Sequence, residues 1–77
     1  MQNVYIGYYF TVTPLELGTE ILLAQLGETA FESFVETETG LEAYVQKELW
    51  NDAILNDVAI LNNTEFKITF EYKEIEQ

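Results

Sequence analysis

Phe31-Glu32-Ser33-Phe34-Val35-Glu36-Thr37-Glu38-Thr39-Gly40-Leu41-Glu42-Ala43-Tyr44-Val45-Gln46-Lys47 contains two short runs in which apolar and polar residues alternate. Alternation of this kind, rich in β-branched and aromatic residues, marks half-buried strands. The link Thr37-Glu38-Thr39-Gly40 ends in the residue that enters a left-handed conformation without steric cost, so the two runs are expected to form a hairpin. In its first strand Phe31, Ser33 and Val35 oppose Glu32, Phe34 and Glu36. In its second, Leu41, Ala43 and Val45 oppose Glu42, Tyr44 and Gln46. The first set of each is expected to pack inward and the second to face out.

The flanks of the hairpin are nearly symmetrical. Upstream, Val4 to Val12 reads as a strand that is apolar on both faces, with Val4, Ile6, Tyr8, Phe10 and Val12 on one and Tyr5, Gly7, Tyr9 and Thr11 on the other. Thr13-Pro14-Leu15-Glu16 then carries three helix-start signals: a capping threonine, a proline suited to the first turn, and an acid at the capping-box position. Leu15, Leu22 and Leu26 are expected along one edge of its buried face and Leu17, Ile21 and Ala24 along the other. Gly18 falls between them, where it would let the helix lie close to a sheet, and Gly27 is expected as the C-terminal cap.

Downstream, Ala53, Ile54, Val58 and Leu61 recur at helical spacing, which predicts a second helix over Trp50 to Leu61 with Asn51 or Asp52 as cap. Phe66 to Tyr72 alternates as a last strand, and Glu74-Ile75-Glu76-Gln77 continues without a terminal signature. The order is β-α-β-β-α-β, an α+β pattern. Two helices with one apolar stripe each would cover one face of a four-stranded antiparallel sheet, the ferredoxin-like split β-α-β arrangement, with the first and third strands central.

Composition bounds the function. Seventy-seven residues form a single domain, residues 1–77, of a size that buries only roughly 60% of its unfolded surface. Five Tyr, five Phe and one Trp supply ample core material. Cysteine and histidine are both absent, which excludes disulfides, thiolate metal sites and the usual general base. The pairs Glu36/Glu38 and Asp52/Asp57 do not match a cation-binding loop. The four glycines are isolated, so no phosphate-cradling turn is present. This chain alone is expected to be non-catalytic, with no metal, and no run is apolar enough for a membrane span. Fourteen acids against three lysines give a net charge of −11, which disfavours nucleic acid and anionic lipid and favours basic partners.

On this arrangement the uncovered sheet face carries Tyr5, Tyr9, Phe34 and Tyr44. Thr11, Glu32, Glu36, Glu42, Gln46, Lys67, Thr69 and Glu71 stand around them. An aromatic row with an acidic border suits a basic, partly apolar partner. It also suits plain cross-strand aromatic pairing that stabilises the sheet.

The running sequence is more specific. Gly18-Thr19-Glu20-Ile21-Leu22-Leu23-Ala24-Gln25-Leu26-Gly27-Glu28, then Ala30 to Thr37, Ala43 to Lys47 with Trp50-Asn51, and Phe66 to Gln77, resembles the start of the PrmA family of bacterial methyltransferases. The resemblance covers essentially the whole chain. It implies a ferredoxin-like substrate-recognition domain that binds large-subunit ribosomal protein eleven in the cytoplasm. It implies also a separate Rossmann-like part, not in this sequence, that binds S-adenosylmethionine and methylates lysine and α-amino groups. Two other readings compete: a free-standing regulatory module that binds a small ligand or dimerises through its sheet, and an acidic mimic of nucleic acid. The scattered acids fit the mimic worst, and the oligomeric state is left open.

Overall fold

The computed structural model describes residues 4–76. Four strands, β1 (Val4–Thr13), β2 (Ser33–Glu36), β3 (Gly40–Gln46) and β4 (Lys67–Glu76), and one helix, α1 (Leu15–Leu26), follow in the order β1-α1-β2-β3-β4. They form an antiparallel sheet in the spatial order β2-β3-β1-β4. β1, apolar on both faces, lies between β3 and β4. Gln77 lies outside the described residues. Glu74 to Glu76, beyond the strand expected over Phe66 to Tyr72, continue β4 and pair with β1 from Ile6 back to Val4.

The second helix predicted over Trp50 to Leu61 does not form. That segment is a succession of tight turns ending in a 3-10 helix, Ala59–Asn62, and a further 3-10 turn, Lys47–Leu49, precedes it. Its backbone bonds span three residues throughout: Ile54 N–H to Asn51, Asn56 to Ala53, Val58 to Leu55, Leu61 to Val58 and Asn63 to Ile60. The reason is chemical. Asn and Asp side chains offer the backbone local partners that compete with a helical ladder. Asn51 Oδ1 accepts from Ala53 N–H at 2.9 Å and Asn63 Oδ1 from Glu65 N–H at 2.9 Å. The apolar residues still reach the core: Val58 and Ile60 are buried, and Trp50, Ile54, Leu55 and Leu61 pack against it.

The core lies between α1, this turn segment and one sheet face. Ile6, Tyr8, Phe10 and Val12 of β1 meet Leu41, Ala43 and Val45 of β3, with Leu22, Leu26 and Phe31 above. Tyr8 is its aromatic hub. Its ring stacks on Tyr72 at 4.8 Å and meets Phe31 edge-on at 5.3 Å, and its hydroxyl accepts a hydrogen bond from Trp50 Nε1 at 2.9 Å. Gln25 Oε1 accepts from Ile60 N–H at 2.9 Å, joining α1 to the 3-10 helix.

Helix α1 ends on Gly27 as expected but differs from its prediction at the N-terminal end. Thr13 is the last paired residue of β1, opposite Lys67, so it does not cap; Pro14 takes the cap position without a side-chain bond. The buried stripe is Gly18, Thr19, Leu22 and Leu26, and Leu15 and Leu17 are exposed. Gly18 is the point of closest approach, as its position suggested: a Cβ there would lie 2.4 Å from Val12 Cγ1. Gly40 is required for a similar reason. No glycine among the described residues has positive φ, contrary to the expected left-handed turn; instead a Cβ on Gly40 would lie 2.1 Å from the Phe10 carbonyl oxygen.

Two adjacent substitutions test this packing. Gly18→Ala is expected to destabilise by about 1–2 kcal/mol, because overpacking against a stiff valine outweighs the ~1 kcal/mol of helix propensity gained. Thr19 Oγ1 is buried without a partner among the described residues, so the isosteric Thr19→Val is expected to be neutral or stabilising. Urea denaturation of both variants provides the measurement.

Candidate functional site

The uncovered face is built row by row by the strand register. One row across β3, β1 and β4 is Glu42, Tyr9, Glu71; the next is Tyr44, Gly7, Lys73; the third is Gln46, Tyr5, Ile75. Thr11 and Thr69 extend the face beyond the first row. Gly7 is the centre. A Cβ there would meet Ile75 Cδ1 at 2.8 Å, Tyr44 Cε1 at 3.0 Å and the Tyr9 hydroxyl at 3.1 Å. Three side chains therefore converge over a bare stretch of backbone, and Tyr9 and Tyr44 meet at right angles with centroids 6.4 Å apart.

Three of the four predicted site residues, Tyr5, Tyr9 and Tyr44, share this face. Phe34 does not. It pairs with Ala43, on the core side, and lies partly buried 6.5 Å from the Phe31 ring. The cause is an extra residue at the start of β2. Glu32 N–H donates to the Tyr44 carbonyl at 2.9 Å while Ser33 is the ladder partner of the same Tyr44. Two residues facing one shift the alternation by one, which reverses the face of everything downstream. Ser33 and Val35 consequently join the open face, and Phe34 and Glu36 leave it.

Glu32 gains a role from that shift. Its carboxylate accepts from the Tyr5 hydroxyl at 3.1 Å and from Gln46 Nε2 at 2.8 Å, joining the start of β2 to β1 and β3. Glu42 accepts from the Tyr44 hydroxyl. These acceptors raise the pKa of both tyrosines above the ordinary 10.0: Tyr5 chiefly through Glu32, Tyr44 chiefly through Glu42 and then through burial. Lys73 Nζ lies 5.4 Å from the centroid of the Tyr9 ring. Depressions of ≈520 Å³ and ≈260 Å³ lie beside Tyr9, and one of ≈410 Å³ lies between Tyr5 and Tyr44.

Lys73 and Ile75 were legible in principle, since the period-two pattern that places Glu71 on this face continues to them. Phe70 and Tyr72 are a different case. They share the face of α1, opposite Phe10 and Tyr8, yet stand 45% and 51% exposed. The turn segment that replaces the second helix leaves them uncovered. Among the described residues, no group of three or more His, Cys, Asp or Glu side chains converges as a metal would require. No helix among them is long and apolar enough to cross a membrane.

Comparison with known proteins places the chain among relatives of one class, methyltransferases that act on protein. It is 39% identical over 74 residues to the ribosomal protein L11 methyltransferase of Bacteroides thetaiotaomicron, 38% to that of Bacteroides fragilis and 36% to that of Phocaeicola vulgatus. In each case the match covers 94% of this chain and 26% of the relative. The chain is thus homologous over nearly its whole length to ribosomal protein L11 methyltransferases, and spans about a quarter of theirs. No protein-family model matches it, and no solved structure does.

Titration tests the Glu42–Tyr44 contact. A raised pKa means that the folded state holds the phenolic proton more tightly than the unfolded state. Its contribution to stability is therefore full below pH 10.0 and is lost as pH climbs towards the folded-state pKa. Absorbance titration is expected to show a late-ionising tyrosine that Tyr44→Phe deletes. The stability difference between wild type and Tyr44→Phe is expected to shrink above pH 10.0.

Proposed function

We propose that this chain is the substrate-recognition domain of an S-adenosylmethionine-dependent methyltransferase acting on lysines of a ribosomal protein, and that it docks that protein on its open tyrosine face. The observation that carries this reading is the conjunction of relatives named for ribosomal protein L11 with an uncovered face of three tyrosines on a chain of net charge −11. A ribosomal protein that binds RNA is basic, so long-range attraction and tyrosine contacts favour the same surface. Tyrosines suit docking because each brings large contact area with few rotatable bonds to order.

Cofactor binding belongs, on this reading, outside these 77 residues. The strand-to-helix junction here is Thr13-Pro14-Leu15, without a glycine turn for a nucleotide to approach. Direct nucleic-acid binding is disfavoured by the charge balance and by the absence of arginine on the sheet. The architecture is read as a ferredoxin-like split β-α-β in which tight turns replace the second helix. The strand order β2-β3-β1-β4 and the shared core of α1 and the turn segment support that reading. A ribosomal protein substrate implies a cytoplasmic setting.

Calorimetric titration with purified ribosomal protein L11 tests the docking surface. Tyr9→Ala and Tyr44→Ala are each expected to weaken binding by about 5- to 30-fold, as central aromatic anchors do. Phe34→Ala, on the other face, is expected to leave affinity unchanged while lowering thermal stability. Affinity is expected to fall with added salt. Equal affinity for wild type and both tyrosine variants would remove the open face from the account.

A further inference from the structure

The row Glu42-Tyr9-Glu71 has a chemistry of its own. Register sets both carboxylates directly beside Tyr9, one from each neighbouring strand. Directly opposed residues have Cβ atoms about 4.5–5.5 Å apart, so two acids stand beside the base of Tyr9, while its side chain leans over Gly7 towards Tyr44 and Lys73. Depressions of ≈520 Å³ and ≈260 Å³ adjoin it, the larger also lined by Glu42, Thr11 and Thr69 and the smaller by Glu71 and Lys73. Glu42 is held in place by the Tyr44 hydroxyl. Over the ring lies a cation already: Lys73 Nζ, 5.4 Å from its centroid.

A ring face attracts a cation through its quadrupole, and acids on the two neighbouring strands add to that attraction. An ammonium on a flexible stem fits such a seat, because it needs no planar approach and can enter along the strand direction. The chain's own lysine shows what the seat accepts. Lys73 comes from β4, in the row next to Tyr9, and does not line the larger depression beside Glu42. We propose that the Tyr9 ring, with Glu42 and Glu71 on the neighbouring strands, is a receptor for a lysine ammonium of the docked polypeptide, and that Lys73 occupies it until that lysine arrives.

This rests on the reading of the open face as the docking surface, and it adds a specific anchor and a competitor. The intramolecular contact lowers affinity, since the incoming lysine displaces a tethered one. Lys73 therefore acts as a gate on affinity. Net charge alone makes a different prediction, because loss of any lysine on the face would then help a basic partner equally. Lys67 supplies the comparison: it lies on the same face, opposite Thr13, three rows from Lys73.

Two measurements on the 77-residue chain decide the matter. In the first, the ε-methylene protons of Lys73 are followed by NMR during titration with the peptide acetyl-Lys-Lys-Lys-amide, and with the same peptide acetylated on every lysine. The ring current of Tyr9 is expected to shift those protons upfield in the free chain. The charged peptide is expected to return them to ordinary values while moving the Tyr9 ring signals, and the acetylated peptide to do neither. Unshifted Lys73 protons in the free chain, or protons that stay shifted at saturating peptide, would overturn the proposal. In the second, Lys73→Met is expected to tighten binding of ribosomal protein L11 by about two- to fivefold. Lys67→Met is expected to change it less, and the gain from Lys73→Met is expected to vanish in a Tyr9→Leu background. An equal gain from Lys67→Met, or a gain that persists without Tyr9, overturns the receptor. The two readings fail separately. If the peptide displaces Lys73 but L11 does not bind, the seat stands and the docking partner falls. If L11 binds the tyrosine face while Lys73 stays on Tyr9, the docking surface stands and the seat falls.

Discussion

β1 is the constraint from which the rest follows. It lies between β3 and β4, so both its faces must be lined with side chains that pack. Tyr8 and Tyr9, adjacent in sequence, point to opposite faces and organise one each. Tyr8 is buried at the hub of the core, held by Trp50, Phe31 and Tyr72. Tyr9 stands on the open face, paired in register with Glu42 and Glu71 and beneath a lysine. With no element over that second face among the described residues, the packing that β1 requires there comes from Tyr44 and Ile75 leaning over Gly7. The open face is thus organised by the same strand that runs through the core.

Much of this was legible as alternation. Leu41, Ala43 and Val45 are fully buried beneath α1 and the turn segment, and Glu42, Tyr44 and Gln46 face outward, as period two requires. Tyr5 and Tyr9 follow the same rule. Phe34 escapes it because one added residue before β2 reverses the pattern, and no composition signal marks that insertion: Glu32 and Ser33 are unremarkable strand residues. The second helix escapes it for another reason. The spacing of Ala53, Ile54, Val58 and Leu61 satisfies a helical period, but Asn51, Asn56, Asp57, Asn62 and Asn63 favour local turns. The turns bury Val58 and Ile60, set Ile54, Leu55 and Leu61 against the core, and leave Ala53 exposed. Helical periodicity found Leu22, Leu26 and Val58 but also pointed inward Leu15, Leu17, Ala24 and Ala53, which are exposed. The hairpin pattern marks Gly40 for a left-handed turn, but what requires glycine there is close approach to the Phe10 carbonyl.

The two faces of the sheet now differ in kind. The open face has tyrosines bonded to carboxylates, with polar ends available to a wet, charged interface. The α1 side has Phe70 and Tyr72 half-exposed beside Tyr8 and Phe10, an apolar margin continuous with the core. A basic polypeptide matches the first in charge and in hydrogen-bonding character; the second lacks that pairing of ring and carboxylate. The homology to ribosomal protein L11 methyltransferases and the acidity of the chain then bear on the same surface.

Cross-saturation NMR tests this most directly, with ribosomal protein L11 irradiated and signal loss read on the isotope-labelled 77-residue chain. The account predicts losses at Tyr5, Tyr9, Tyr44 and Ile75, with Phe70, Tyr72, Leu15 and Leu17 unaffected. Losses concentrated at Phe70 and Tyr72, with the open face silent, would contradict it.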